Sequence, residues 1–163
     1  MSKTLSLTTP SERELRITRG FDAPRSLVFD CLSQPELVRR WLLGPAGWTM
    51  PVCEIDLRVG GRYRYVWRRP GRDDMGMGGV YREIVRPERI VQTELFDEDW
   101  TGGETLVTSV LTERDGATTL TTTVLYSSKE ARDGALRTGM TEGVEASYDN
   151  LAQLLSSMAA RRE

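Results

Sequence analysis

The chain has 163 residues, 39% of them hydrophobic and 28% charged, with a formal net charge of −2. That length suits one domain burying roughly 70% of the surface its unfolded chain would expose, and the composition excludes a disordered chain. The near balance of charge gives no field for nucleic acid or an anionic membrane, and neither a signal peptide nor an apolar stretch of ~20 residues is present, so the expected setting is cytoplasmic.

Residues 1–11 are polar and are read as a flexible N-terminal tail, with 12–160 as a single domain. Glu12 to Phe21 alternates, Leu15 and Ile17 on one face and Glu14, Arg16 and Thr18 on the other, which predicts a strand. Asp22 stands where it can cap a helix with Pro24 in its first turn, and Leu27, Val28, Cys31 and Leu32 form an apolar face at helical spacing. Ser33-Gln-Pro-Glu36 has the form of a capping box that opens a second short helix through Trp41 and Leu42, stopped by Gly44-Pro45.

From Thr49 to Tyr126 the period is two. The expected strands are Met50–Leu57, Arg62–Arg69, Gly78–Val85, Ile90–Phe96, Thr105–Glu113 and Thr118–Tyr126, separated by breaks such as Gly60-Gly61, Pro70-Gly71 and Asp115-Gly116. Breaks this short imply consecutive antiparallel hairpins. Ser127-Ser-Lys-Glu130 repeats the capping-box pattern before a helical turn interrupted at Gly134. A last helix is predicted over about Thr138–Met158, with Met140, Val144, Ser147, Tyr148, Leu151, Leu154, Leu155 and Met158 on one apolar stripe. Strand, two short helices, six strands and a long helix make an α+β order.

Absences narrow the chemistry. There is no histidine, hence none of the commonest general base or zinc ligand. Cys31 and Cys53 are too few for a structural zinc site and both fall on apolar faces, which predicts buried free thiols. The lysines, Lys3 and Lys129, lie outside apolar stretches that would depress their pKa. No metal or cofactor site and no catalytic residue is assigned.

The order of elements and several local motifs resemble a known superfamily. Asp22-Ala-Pro-Arg25 with Val28-Phe29, then Arg40-Trp41-Leu-Leu-Gly-Pro45, resemble the opening of the START-related, birch-pollen-allergen-like (SRPBCC) superfamily. Asp56-Leu-Arg-Val-Gly-Gly-Arg-Tyr-Arg-Tyr65, Gly78-Gly-Val-Tyr-Arg-Glu-Ile84, Arg86-Pro-Glu-Arg-Ile-Val91 and Gly139-Met-Thr-Glu-Gly143 look like its family of homologues of the activator of heat-shock protein ninety ATPase. The likeness spans about residues 12–157 and implies a helix-grip fold: an antiparallel β-sheet wrapped around a long C-terminal α-helix, with two short helices after the first strand.

That fold implies a cavity between sheet and helix. Tyr63, Tyr65 and Trp67 share one face of their strand, opposite Arg62, Arg64 and Arg68, and are expected on the cavity side. Trp41 and Trp48 flank the turn where the superfamily's pocket mouth lies. Met77 at the rim, Tyr81 on the next strand, and Met140, Val144 and Tyr148 from the helix complete the expected ligand-binding wall. Met75 is a second rim candidate. Glu83, Glu94 and Glu142 pose a question that strand parity leaves open, because Val80 and Ile84 compete with Tyr81 and Glu83 for the inner face. A cavity-facing carboxylate is the best seed of catalysis in the chain. The arginines at 62, 64, 68, 69 and 72 are read as a solvated outer face.

The leading expectation is a protein that binds a small apolar or aromatic molecule, with no nucleic-acid or membrane partner. Two alternatives stand beside it: a cyclase- or dehydratase-type enzyme using a pocket carboxylate or tyrosine, and a chaperone-ATPase-modulating interaction domain with a chaperone as partner. A homodimer through an exposed sheet edge or the outer face is compatible with all three.

Overall fold

The computed structural model describes residues 3–162. Its elements are β1 (Ser6–Thr8), β2 (Glu14–Phe21), α1 (Arg25–Ser33), α2 (Pro35–Trp41), β3 (Thr49–Ile55), β4 (Arg62–Arg68), β5 (Met75–Val85), β6 (Arg89–Phe96), β7 (Thr105–Arg114), β8 (Ala117–Leu125), α3 (Lys129–Leu136) and α4 (Met140–Arg162). The eight strands form one antiparallel sheet in the order β1-β2-β8-β7-β6-β5-β4-β3. The hairpin run from β3 to β8 thus returns the chain to β2, while α1 and α2 carry it between β2 and the far edge. This is the helix-grip arrangement.

Register decides which side chains face α4. Gln92 pairs with Val107, Val107 with Val124, and Val124 with Leu15, so one row crosses β6, β7, β8 and β2 on the inner face. One row along, Glu94 pairs with Thr105. The C-terminal half of α4 closes on this face as solid core, with Leu151 and Leu155 packed in the same cluster as Phe21, Phe29, Leu111 and Leu120. Burying a leucine or phenylalanine of this kind stabilises by about 1.5–3 kcal/mol. No described helix is long and apolar enough to cross a membrane.

Several local expectations need correction. Segment 1–11 is not tail throughout: Ser6–Thr8 adds an edge strand on β2, with Leu5 and Leu7 packed against the core. Asp22 does not cap α1, whose N-cap is Pro24 without a side-chain bond. Nor is Ser33 a cap; α2 starts from Gln34, and the Ser33 hydroxyl instead donates to the Phe29 carbonyl one turn back, at 2.8 Å. The cap of α3 is Ser128, which accepts from the Ala131 N–H, while Ser127 donates to the Gly102 carbonyl; the helix continues through Gly134. Residues 75–77, which precede the expected strand Gly78–Val85, are strand as well, because they pair with Trp67, Val66 and Tyr65.

The outer face is held by ion pairs. Arg64 grips Asp97 through two bonds of 2.9 and 2.6 Å, and Arg68 grips Asp74 through bonds of 3.0 and 2.9 Å. Each guanidinium holds its partner carboxyl below the usual range. Two arginines of the basic stripe are therefore neutralised locally. Cys31 and Cys53 are free and buried, and burial pushes their thiols up to about 12 and about 11.

Candidate functional site

The N-terminal half of α4 does not close on the sheet as the C-terminal half does. Its inward positions are Met140, Gly143, Val144 and Ser147, and beneath them lies a cavity of about 400 Å³. A Cβ added at Gly143 would meet no atom within 4 Å, so packing does not demand glycine there. Glycine inside a helix costs about 0.5–1 kcal/mol relative to alanine. The helix accepts that cost and the space stays open.

The sheet side of the cavity is aromatic. Neighbouring rings run in a chain from Tyr81 to Tyr63 (5.4 Å between centroids), Tyr65 (5.1 Å), Trp67 (5.9 Å), Phe96 (6.3 Å) and Trp100 (4.8 Å). The last four border the cavity. Met75 and Met77 of β5 add thioethers, which adapt to irregular ligand shapes. On the far side, Tyr148 meets Trp41 at 6.1 Å, and its hydroxyl lies 3.2 Å from that of Thr122.

The mouth is built by the segment after α2. Leu42, Leu43, Gly44 and Pro45 border the cavity, and the wall is solvent-exposed at Pro45 and Met75. Three bonds fix this rim: Trp67 Nε1 donates to the Leu42 carbonyl at 2.7 Å, the Gly44 N–H donates to Ser147 Oγ at 2.8 Å, and Asn150 donates to the Trp41 carbonyl at 3.3 Å. The rim thus ties the sheet to α4.

Of the ten residues expected on the wall, Trp41, Trp48, Tyr65, Trp67, Met77, Met140, Val144 and Tyr148 border the cavity. Tyr63 and Tyr81 share the inner face but do not. They sit in packed core beyond the cavity's end, where the Tyr63 hydroxyl donates to the Thr93 carbonyl at 2.5 Å and Tyr81 is fully buried. Trp41 serves core and wall together, with Nε1 donating to the Cys31 carbonyl at 2.8 Å.

The carboxylate question has a definite answer. Glu83 is exposed and paired with Arg89 at 3.2 Å, and Glu142 is exposed, whereas Glu94 lines the cavity. The Glu94 carboxyl is surrounded by protein, and the accessible surface the residue keeps borders the cavity. Its side chain has no hydrogen-bond partner among the described residues, and desolvation raises its pKa to about 7. Around it stand Gln92, Thr105 and Tyr126, whose hydroxyl reaches only the Met140 sulfur, at 3.6 Å. A thioether is a weak acceptor, so that phenol keeps its donor capacity.

A model of one protein family, Activator of Hsp90 ATPase homolog 1-like protein, matches residues 22–156. The chain belongs to that family. Within the same fold, a Rhodobacter sphaeroides protein is 32% identical with a TM-score of 0.89, covering 94% of this chain and 99% of its own. A Chromobacterium violaceum protein is 27% identical at a TM-score of 0.75, covering 87% and 96%. The CalU16 protein of Micromonospora echinospora is similar in fold alone, at 20% identity and a TM-score of 0.61, covering 97% and 87%. No curated protein matches the chain.

Within this member of the Hsp90-ATPase-activator-like family, sequence reasoning missed one end of the cavity. Phe96, Trp100 and Thr101 border it together with Thr105 and Tyr126. The signal was present but weak: Ile90, Gln92, Glu94 and Phe96 are spaced by two, yet two of the four are polar and mask the inward face.

Proposed function

We propose that the chain binds a small, largely apolar, aromatic molecule in the cavity under α4. The observation that carries this reading is the cavity itself. Its volume of about 400 Å³ falls within the ~300–1,000 Å³ range of ligand pockets, and its wall is mainly aromatic and aliphatic with a few polar groups. Side chains lining such a space forgo dispersion energy that a packed core would supply. Larger side chains at Gly143, Val144 or Ser147 would recover part of that energy, which argues that the space serves a ligand. Family membership supports two broad classes, a ligand-binding domain and an Hsp90-ATPase-activator-like domain, and the cavity favours the first.

Native against denaturing mass spectrometry, followed by titration with the neutral fluorophore N-phenyl-1-naphthylamine, tests the reading. A co-purified mass lost on denaturation, or saturable fluorescence enhancement at one probe per chain, supports it. A clean apo mass together with no enhancement contradicts it.

A second reading is favoured by Glu94: acid–base catalysis of the cyclase or dehydratase type. Burial raises the Glu94 carboxyl to about 7, so it holds or releases a proton at working pH, and its charge in turn raises the nearby Tyr126 phenol. Turnover of an enolisable aromatic polyketide-like substrate that disappears in Glu94→Gln would establish it, and unchanged substrate would remove it.

A further inference from the structure

The cavity's charge pattern says more than its volume. Among the described residues its wall contains one carboxylate, Glu94, and no lysine or arginine. Ligand carriers for fatty acids and other anions need a basic or strongly donating partner at the anionic end, because a buried charge left unpaired is costly. Here the polar end has the opposite sign. The groups that face Glu94 from other elements are phenols, Tyr63 and Tyr65 on β4 and Tyr126 just after β8. The Tyr63 hydroxyl already donates to the Thr93 carbonyl.

Resting on the ligand-binding reading, we infer that Glu94 is the recognition point for the ligand's polar end, and that this end is a hydrogen-bond donor, a hydroxyl or an amine, on an otherwise apolar aromatic body. Three features converge. The Glu94 side chain has no hydrogen-bond partner among the described residues, so a donor from the ligand would satisfy it. The adjoining surface is aromatic, with Tyr65, Phe96 and Trp100 on the wall, which suits a flat body and attracts an ammonium by its ring faces. Gln92 and Thr105 flank the carboxylate on the same sheet face and can bind the second lone pair or hydrogen of a hydroxyl. A carboxylate ligand at Glu94 would meet like charge, with no lysine or arginine among the described residues of the wall.

The test uses four probes that share one ring system: 2-methylnaphthalene, 2-naphthalenemethanol, 2-naphthylmethylamine and 2-naphthoate, each competing with bound N-phenyl-1-naphthylamine at pH 8. The alcohol and the amine are expected to displace the fluorophore at about tenfold lower concentration than the methyl compound, and naphthoate at about tenfold higher. In Glu94→Gln the amine loses its advantage, the alcohol keeps it, and the naphthoate penalty shrinks; in Glu94→Leu the alcohol loses its advantage too. Retained binding of the fluorophore by both variants shows that they are folded. Four coincident displacement curves, or a naphthoate as effective as the alcohol, overturn the assignment of Glu94 alone. Failure of the wild-type protein to bind the fluorophore overturns the cavity reading beneath it.

Discussion

The Tyr63 hydroxyl donates to the Thr93 carbonyl at 2.5 Å, one residue before Glu94. This bond ties the aromatic strand β4 across β5 to β6. It also uses the donor of a phenol that feels the Glu94 charge. Sheet geometry and cavity chemistry meet at this contact.

Tyr63→Phe is therefore expected to cost about 1–3 kcal/mol, because it leaves a buried carbonyl without its donor while the ring keeps its packing. Chemical denaturation of the two proteins measures the difference. A change below about 0.5 kcal/mol would mean that the bond does not anchor β6.

Two glycines should respond in opposite senses. A Cβ at Gly79 would stand 1.9 Å from the Thr93 carbonyl oxygen, so Gly79→Ala must push β5 from β6 and should destabilise by about 1–3 kcal/mol. A Cβ at Gly143 meets no atom within 4 Å, so Gly143→Ala should stabilise α4 by about 0.5–1 kcal/mol. Thermal melts read both signs.

Stability should fall as pH rises from about 4.5 to about 7. Glu94 has its folded pKa raised to about 7 from 4.5, so over that window the folded state holds a proton that the unfolded state has released. The contribution is fully present below about 4.5, is lost through about 7, and amounts to at most about 3 kcal/mol. The phenols of Tyr63, Tyr65 and Tyr126, which face Glu94, have pKa values raised above their ordinary value and stay neutral throughout. Glu94→Gln should thus match wild type near pH 4 and exceed it at pH 8. Parallel stability curves for the two proteins would contradict this.

Val144→Trp places a larger side chain into the cavity from α4. Binding of N-phenyl-1-naphthylamine is expected to weaken about tenfold or more, with circular dichroism unchanged. Unaltered affinity would put the probe elsewhere.

Much of the fold was legible in residue order. Alternation in Arg62 to Trp67 separated the aromatic from the arginine face, and the structure keeps that division, with Tyr63, Tyr65 and Trp67 buried and Arg62, Arg64 and Arg68 exposed. Parity failed on β5, and the reason is a bulge. Tyr81 pairs with Gln92, but Glu83 pairs with Val91 and Ile84 with Ile90, so one extra residue shifts the phase. Tyr81 and Ile84 thereby both reach the core, although they are three residues apart. Sequence alternation alone cannot reveal such a shift; on β6 the alternation is regular, and the direction of Glu94 was masked instead by the polar residues Gln92 and Glu94 on the inward face. The Ser6–Thr8 strand escaped for another reason: a three-residue edge strand carries too few positions to display a period.

The most direct test of the cavity reading is an NMR titration of protein labelled at the methionine methyls with N-phenyl-1-naphthylamine. Met75, Met77 and Met140 border the cavity, whereas Met50 lies elsewhere in the core and Met158 sits against Cys31, with sulfurs 3.8 Å apart. Saturable shifts are expected at Met75, Met77 and Met140, with Met50 and Met158 essentially unmoved. Silent methyls at those three positions, or shifts confined to Met50 and Met158, would contradict a ligand site under α4.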